Sequence, residues 1–253
     1  MIKIHKEVYG QGKPIVLIHG WAMHTGIWRK FAERLAGHYQ VTCLDLPGHG
    51  LSETVEPYTL DNIVKVLIEQ MPVQPCCVLG WSLGASVALA IAEKYPERVN
   101  SLILLAGNPL FVQKKDWAGV RSKMLTEFSN NLQLNCQHTL IRFLALQVNN
   151  LPDGKAILKE LKKTVQECDA PAESVLKSAL ELLKHADLRK VLVALRCPVV
   201  VIQGDKDSLI PLQVSQNMKA IKPEINVNII EGAGHVPFLS NQSKVIEIIN
   251  QNI

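Results

Sequence analysis

The chain has 253 residues, with 27 Lys or Arg against 23 Asp or Glu, and a formal net charge of +4. This charge is too small to indicate nucleic-acid binding by itself. Hydrophobic residues make up 47% of the chain and charged residues 20%, which is typical of a globular protein with one large core. No apolar run reaches the roughly 18 residues of a membrane span, and the first ten residues lack a signal-peptide core. We therefore expect a cytoplasmic protein without membrane or nucleic-acid partners.

The cysteines give no disulfide or metal pattern. They lie at positions 43, 76, 77, 136, 168 and 197, and no CxxC pair occurs. Cys76 and Cys77 are adjacent in a strand-like run, so their side chains should point to opposite faces of a sheet. This distribution favours reduced structural cysteines over a disulfide framework.

Through the first 110 residues, short apolar runs alternate with helical patterns. Residues 1–10 predict a first strand. Further strands are predicted by the apolar runs PIVLIHG (14–20), QVTCLDLPGHG (40–50), CCVLG (76–80) and VNSLILLAG (99–107). Helical spacing occurs between them in IWRKFAERLAG (27–37), LDNIVKVLIEQM (60–71) and ASVALAIAEKY (85–95), with Asp61 as an N-terminal signal. The alternation indicates an α/β fold, with a mainly parallel sheet covered by helices on both faces.

The alternation stops in the middle of the chain. No convincing strand occurs from about residue 111 to 189, and four helices are predicted at 116–132, 135–148, 153–166 and 171–184. Strands resume with CPVVVIQGD (197–205) and NVNIIEGAG (226–234), and residues 242–252 predict a closing helix. The prediction is a core formed by residues 1–110 and 190–253, interrupted by a helical insertion at residues 111–189.

The segment GWSLG, residues 80–84, matches the pattern G-x-S-x-G between a predicted strand and a predicted helix. A nucleophilic serine needs such a sharp turn, because the hydroxyl must stand clear of the backbone and flanking glycines let neighbouring elements approach. N–H groups at the start of the helix would then face a developing oxyanion. The five-residue pattern alone does not distinguish a nucleophile at Ser82 from an ordinary glycine-rich turn.

Later segments supply the partners that an activated serine requires, a base and a group that orients it. Asp207 follows a predicted strand, and His235 follows the last one in a glycine-rich loop. Both positions fall where loops leave the carboxyl edge of a parallel sheet. Asp205 competes for the acid role, although its place directly after Gly204 favours a turn residue. His19 and His49 are interpreted as loop or turn residues near the edge of the site.

The motifs HGWAMHTGIW, LDLPGHGLS, GWSLGASVA, GDKDSLIP and GAGHVPF resemble, in this order, the landmarks of the α/β-hydrolase superfamily. The shorter segments DLPGHG, PERV, RFLALQ, LKKTV and DLR narrow the resemblance to the pimeloyl-[acyl-carrier protein] methyl ester esterase family of biotin synthesis. The resemblance runs nearly from end to end and includes the insertion, where hydrolases diverge most.

The resemblance implies an α/β-hydrolase fold with a helical lid and a serine carboxylesterase that releases methanol from the methyl ester of pimeloyl-acyl carrier protein. Ser82 would be the nucleophile, His235 the base and then the acid, and Asp207 the orienting carboxylate. N–H groups of Trp21 and Leu83 would form the oxyanion hole. The acyl channel would be lined by Phe143, Leu144, Ala145, Leu146 and Gln147. Neither a metal nor an organic cofactor is expected, and the expected assembly is a monomer.

The insertion carries an excess of positive charge. Residues 114–163 contain nine Lys or Arg against four Asp or Glu, a net charge of +5. Such charges are often only a solvated helix face. The resemblance instead implies docking of an acidic acyl carrier protein at four positions, namely His138, Arg142, Lys155 and Lys159. The expected arginines are replaced at three of these positions, and lysine lacks the bidentate geometry of arginine toward phosphate.

Two alternatives stay open at this stage. The same fold and triad could serve a general short-chain esterase, a thioesterase or a carbon–carbon bond hydrolase, because fold and triad do not determine the substrate. A ligand-binding homologue without turnover is the other alternative, and an intact set of Ser82, Asp207 and His235 argues against it.

Overall fold

A computed structural model describes residues 2–149 and 151–253. Its centre is a seven-stranded sheet in the order β1-β3-β2-β4-β5-β6-β7. The strands are β1 (Lys6–Tyr9), β2 (Lys13–Ile18), β3 (Tyr39–Leu44), β4 (Cys76–Trp81), β5 (Val99–Leu105), β6 (Val199–Gly204) and β7 (Asn226–Ile230). Within the described strands, β1 pairs with β3 in antiparallel fashion and the other pairs are parallel. The prediction of a mainly parallel α/β sheet is confirmed.

Six helices belong to the predicted core segments: α1 (Arg29–Leu35), α2 (Leu60–Leu67), α3 (Leu83–Lys94), α9 (Gln213–Ile221), α10 (Pro237–Ser240) and α11 (Gln242–Asn252). Helix α9 and the short α10 were not predicted. The N-terminal signal of α2 differs from the expected Asp61, because the Thr59 hydroxyl accepts the Asn62 N–H at 3.3 Å. Asp61 lies in the first turn and forms an ion pair with Lys94 at 2.6 Å.

The sheet separates two apolar clusters, one on each face. Along β4, Cys76 and Val78 belong to one cluster, whereas Cys77, Leu79 and Trp81 belong to the other. The opposite orientation predicted for the two cysteines is therefore observed. Every residue of β4 is buried, because parallel strands covered on both faces need continuous apolar runs rather than alternation.

Between β5 and β6 the chain forms five helices: α4 (Ser122–Leu134), α5 (Cys136–Gln147), α6 (Gly154–Val165), α7 (Glu173–His185) and α8 (Arg189–Ala194). The prediction of helix for residues 116–121 was wrong. Two isolated bridges, Lys114 to Trp117 and Val112 to Val120, fold this segment back on itself. The Trp117 indole donates to the Asn108 carboxamide oxygen at 3.0 Å, and this tertiary contact outweighs local helical spacing.

The two ends of this helical segment meet at the core. The Leu188 N–H donates to the Pro109 carbonyl at 2.7 Å, close to the predicted limits of 111 and 189. The unpredicted helix α8 begins at Arg189 and continues past the second limit. The division into a core and an insertion stays a prediction. None of the helices described is both long and apolar enough to span a bilayer.

Candidate active site

Ser82 lies at the turn from β4 into α3 and has a positive φ of 56° with ψ of −116°. This backbone conformation is costly for a residue with a Cβ, so the surrounding packing must hold it. The packing leaves no space for side chains at Gly80 and Gly84. A Cβ on Gly80 would collide with the Gly84 carbonyl, and one on Gly84 would collide with the Ile18 carbonyl of β2. The two glycines therefore allow the tight turn that presents the Ser82 hydroxyl.

The structure brings Ser82, His235 and Asp207 into one hydrogen-bonded chain. The distance from His235 Nε2 to Ser82 Oγ is 3.0 Å, and His235 Nδ1 lies 2.8 Å from Asp207 Oδ2. A carboxylate only accepts, so the network assigns the imidazole proton to Nδ1 and leaves Nε2 to accept the serine proton. The three residues are 3%, 0% and 8% exposed, which strengthens their electrostatic interactions.

The two aspartates of the loop after β6 have different partners. Asp207 Oδ1 accepts the N–H groups of Leu209 and Ile210 at 2.8 and 2.9 Å, which leaves Oδ2 for His235. Asp205 Oδ1 instead accepts the Gly232 N–H at 2.6 Å. Asp205 thus ties the loop after β6 to the loop after β7, as expected for a turn residue.

Two backbone N–H groups in the segments beside Ser82 have no acceptor in the part of the chain that the structure describes. Within residues 2–149 and 151–253, no acceptor is found for the N–H of Trp21 or of Leu83. Leu83 begins helix α3, where N–H groups lack intrahelical acceptors. Trp21 follows β2, and its indole donates to the Leu176 carbonyl of α7 at 2.9 Å. A Cβ on Gly20 would lie 3.2 Å from the Ser82 Cβ, so the loop after β2 runs directly beside the serine.

Trp81, which sequence reasoning did not single out, fixes the loop that carries His235. Its indole N–H donates to the His235 carbonyl at 2.8 Å. The Trp81 ring packs edge-on against Phe238 at 5.0 Å and against Trp28 at 6.1 Å. In the sequence, Trp81 stands out only as a large aromatic residue at the first variable position of G-x-S-x-G. That position does not indicate a hydrogen bond to residue 235.

The five residues predicted to line an acyl channel lie on the last turns of α5. The Phe143 ring packs edge-on against Trp21 at 4.7 Å, and Leu144 and Gln147 are buried. Ala145 and Leu146 are half-buried. Five consecutive residues of a helix point in different directions, so they do not all face one channel. The structure places Phe143 beside Trp21, and the lining of an acyl channel by the five residues stays a prediction.

All four predicted docking residues are exposed, but they lie on two helices. His138 and Arg142 belong to α5, where the Arg142 guanidinium lies 5.7 Å from the Phe128 ring centre. Lys155 and Lys159 belong to α6 and line a shallow hollow with Lys162, Lys163 and Lys30. Among the described residues that line this hollow, Glu160 is the one acidic side chain, and it pairs with Lys30 at 2.7 Å.

His19 and His49 lie in loops as expected, but both are fully buried, with ring centres 5.5 Å apart. The Leu46 N–H donates to His19 Nε2 at 2.9 Å, and His19 Nδ1 donates to the Gly20 carbonyl at 2.8 Å. Burial lowers the pKa of His19 to about 3. Burial and the neighbouring His19 lower the pKa of His49 to about 3. Both rings are therefore neutral in the folded protein.

Because His19 and His49 are buried and neutral, we expect the protein to lose stability in mild acid. Below the pKa of about 6.5 that these histidines have in the unfolded chain, the unfolded chain binds protons that the folded chain excludes. The free energy of unfolding therefore decreases as the pH is lowered. Between pH 7.5 and 5 the loss should be about 2 kcal/mol for each histidine. Urea unfolding across this range measures it. A His49→Asn variant should lose about half of this histidine contribution to the pH dependence, and an unchanged slope would contradict the assignment.

Within the described residues, no group of three His, Cys, Asp or Glu side chains is arranged to hold a metal ion. The six cysteines are free thiols. Burial raises the pKa of the Cys77 thiol to about 12 and of the Cys76 thiol to about 11. Both thiols therefore stay protonated at neutral pH.

Comparison with known proteins shows the family of the chain. Residues 13–242 match the family model for the alpha/beta hydrolase fold. The chain is 36% identical to the pimeloyl-[acyl-carrier protein] methyl ester esterase of Methylococcus capsulatus, over 98% of this chain and 97% of the relative. It is 37% identical to the protein of the same name from Nitrosomonas europaea, over 95% of both chains.

Solved structures show the same fold at lower sequence identity. An esterase from Exiguobacterium antarcticum superposes with a TM-score of 0.89 at 22% identity, over 99% of this chain and 95% of that one. A bromoperoxidase from Bacillus anthracis gives 0.88 at 20% identity, with the same coverage. The chain belongs to the α/β-hydrolase fold family and, within it, to the family of the pimeloyl-[acyl-carrier protein] methyl ester esterases.

Proposed function

We propose that the protein is a serine carboxylesterase that hydrolyses the methyl ester of pimeloyl-acyl carrier protein to the free acid and methanol. The observation that carries this proposal is the hydrogen-bonded chain from Ser82 through His235 to Asp207, with distances of 3.0 and 2.8 Å. The substrate class rests on the names of relatives that match the chain over nearly its full length.

In the acylation step, His235 Nε2 takes the Ser82 hydroxyl proton while Oγ attacks the ester carbonyl carbon. The carbonyl oxygen becomes an oxyanion and accepts the N–H groups of Trp21 and Leu83, which have no other acceptor among the described residues. The Asp207 carboxylate accepts the hydrogen bond from His235 Nδ1 and stabilises the imidazolium that forms. The C–O bond to the methoxy group then breaks, and His235 returns its proton so that methanol leaves.

In the deacylation step, water replaces methanol and the same groups act in reverse order. His235 Nε2 takes a proton from water, hydroxide attacks the acyl carbon, and the bond to Ser82 Oγ breaks as His235 protonates it. The products are the free carboxylic acid and the unmodified serine. Apart from the substrate and water, this cycle uses the side chains and backbone N–H groups described.

Docking of an acidic carrier protein is proposed for the cationic side chains of α5 and α6. Arg142, Lys155 and Lys159 are exposed, and the basic hollow on α6 contains one acidic side chain that is already paired with Lys30. Exposed charges of one sign raise the association rate with an oppositely charged partner, and salt screens this effect. Helix α5 also carries Phe143, which packs against Trp21, so docking would take place on a helix that reaches the site.

Charge reversal tests this surface. Replacing Arg142, Lys155 and Lys159 together by Glu should lower kcat/KM on the carrier-bound methyl ester by at least about tenfold, because charge repulsion between partners costs several kcal/mol. Hydrolysis of a short soluble ester should stay at the wild-type rate. Steady-state kinetics on both substrates measures the difference, and raised salt should narrow it.

The matched control reverses three exposed lysines of the predicted core, Lys13, Lys65 and Lys244. This variant has a similar change in net charge and should keep activity on the carrier-bound ester. Equal losses in the two triple variants, or an equal loss on both substrates, would count against docking at α5 and α6.

A further inference from the structure

The C-terminal end of α5 is not closed by a glycine. The last carbonyl groups of a helix have no intrahelical donors, and glycine in the next turn usually supplies a return bond. Here the helix ends at Gln147 and continues into Val148, whose N–H contacts the Ala145 carbonyl at 3.3 Å. The Leu146 carbonyl accepts return bonds from the Val148 N–H and, at 3.4 Å, from the Asn149 N–H. Among the described residues, the Gln147 carbonyl has no donor from its own helix end.

Both carbonyls also accept hydrogen bonds from the two loops that hold Asp207 and His235, called here the acid loop and the base loop. The Ser208 hydroxyl, next to Asp207, donates to the Leu146 carbonyl at 2.7 Å. The His235 N–H donates to the Gln147 carbonyl at 3.1 Å. Gly234 allows this approach, because a Cβ there would lie 2.9 Å from the Gln147 oxygen.

The same helix contacts the third loop of the site. The Phe143 ring packs against the side chain of Trp21, and the backbone N–H of Trp21 is one of the two proposed oxyanion donors. One turn of α5 thus reaches the oxyanion loop through Phe143, the acid loop through Leu146 and the base loop through Gln147. A displacement of α5 would disturb all three loops together.

We propose that Ser208 is a positioning residue, which fixes the orientation of Asp207 by anchoring the acid loop to the C-terminal end of α5. This inference rests on the proposed function of the triad. Asp207 Oδ1 is held from within its own loop by Leu209 and Ile210, so the loop moves as a unit. Two bonds join this loop directly to the loop of His235, from the Gly232 N–H to Asp205 and from the Lys206 N–H to the Ala233 carbonyl. Ser208 adds the bond to α5, the helix end that also accepts the His235 N–H.

The test compares Ser208→Ala, which removes the hydroxyl, with Ser208→Thr, which keeps it. Loss of one hydrogen bond of this type should lower kcat for a short soluble ester by about 2- to 10-fold, with KM unchanged. Ser208→Thr should keep most of the wild-type kcat. The matched control is Ser174→Ala, at an exposed serine of α7, which should keep the wild-type kcat.

Amide hydrogen exchange supplies a readout that does not depend on turnover. The His235 amide should exchange faster in Ser208→Ala than in the wild type, because its acceptor on α5 is less firmly held. An unchanged kcat with unchanged His235 exchange would overturn the proposal, as would a loss that threonine fails to restore. A wild-type protein inactive on the carrier-bound ester would instead contradict the proposed function, and the Ser208 comparison would still be read on the short ester or by exchange.

Discussion

Replacing Ser82 by alanine is expected to lower kcat for ester hydrolysis by about 10⁴- to 10⁶-fold. The substitution removes the Oγ that forms the acyl-enzyme and leaves only the binding groups and the oxyanion donors. Ser82 also has a φ of 56°, which alanine tolerates no better than serine, so the turn should stay in place through its packing. Stopped-flow release of p-nitrophenol from a short ester measures the loss together with the disappearance of any burst.

The matched control for this prediction is Ser86→Ala. Ser86 is buried in α3, four residues after Ser82, so the substitution makes the same chemical change in the helix that follows the turn. It should retain the wild-type kcat. A similar loss in Ser86→Ala, or a burst that persists in Ser82→Ala, would be incompatible with Ser82 as the nucleophile.

Replacing Asp207 by asparagine is expected to lower kcat by about 10⁴-fold, although the two side chains have nearly the same shape. Oδ1 accepts two backbone N–H groups, from Leu209 and Ile210. Asparagine would keep its oxygen at this position, so its NH₂ group would face His235 Nδ1. That nitrogen would then have to accept, and the ring proton would move to Nε2. A protonated Nε2 cannot take the proton of Ser82.

Asp205→Asn is the matched control, because Asp205 lies in the same loop but accepts the Gly232 N–H instead of contacting His235. An asparagine oxygen can still accept that bond, so activity should stay within a few-fold of the wild type. Steady-state kinetics distinguishes the two aspartates directly. A larger loss in Asp205→Asn than in Asp207→Asn would mean that Asp205, and not Asp207, orients His235.

The sheet and the chain of three polar residues were predictable because each depends on local pattern. Buried parallel strands give continuous apolar runs, and the loops that carry Ser82 and Asp207 follow such runs directly. His235 follows the partly exposed strand β7. The choice between Asp205 and Asp207 followed from the position of Asp205 next to Gly204 and agrees with the observed hydrogen bonds.

Other features depend on contacts between distant segments and could not be predicted. The Ser208 hydroxyl finds its acceptor 62 residues earlier in the chain, and the Trp81 indole bonds to a carbonyl 154 residues later. Residues 116–121 have helical spacing, but Trp117 reaches Asn108 and the segment folds back. The full burial of His19 and His49 likewise arises from packing that no local sequence pattern indicates.

In the most direct measurement, the purified protein is incubated with the methyl ester of pimeloyl-acyl carrier protein, and the mass of the carrier is followed by mass spectrometry. The proposal predicts that the carrier-bound chain loses the mass of one methylene group, that methanol appears in equal amount, and that Ser82→Ala shows neither change. The thioester to the carrier should stay intact. Release of the whole acyl chain from the carrier, or no reaction by protein that hydrolyses a short ester, would contradict the assigned substrate.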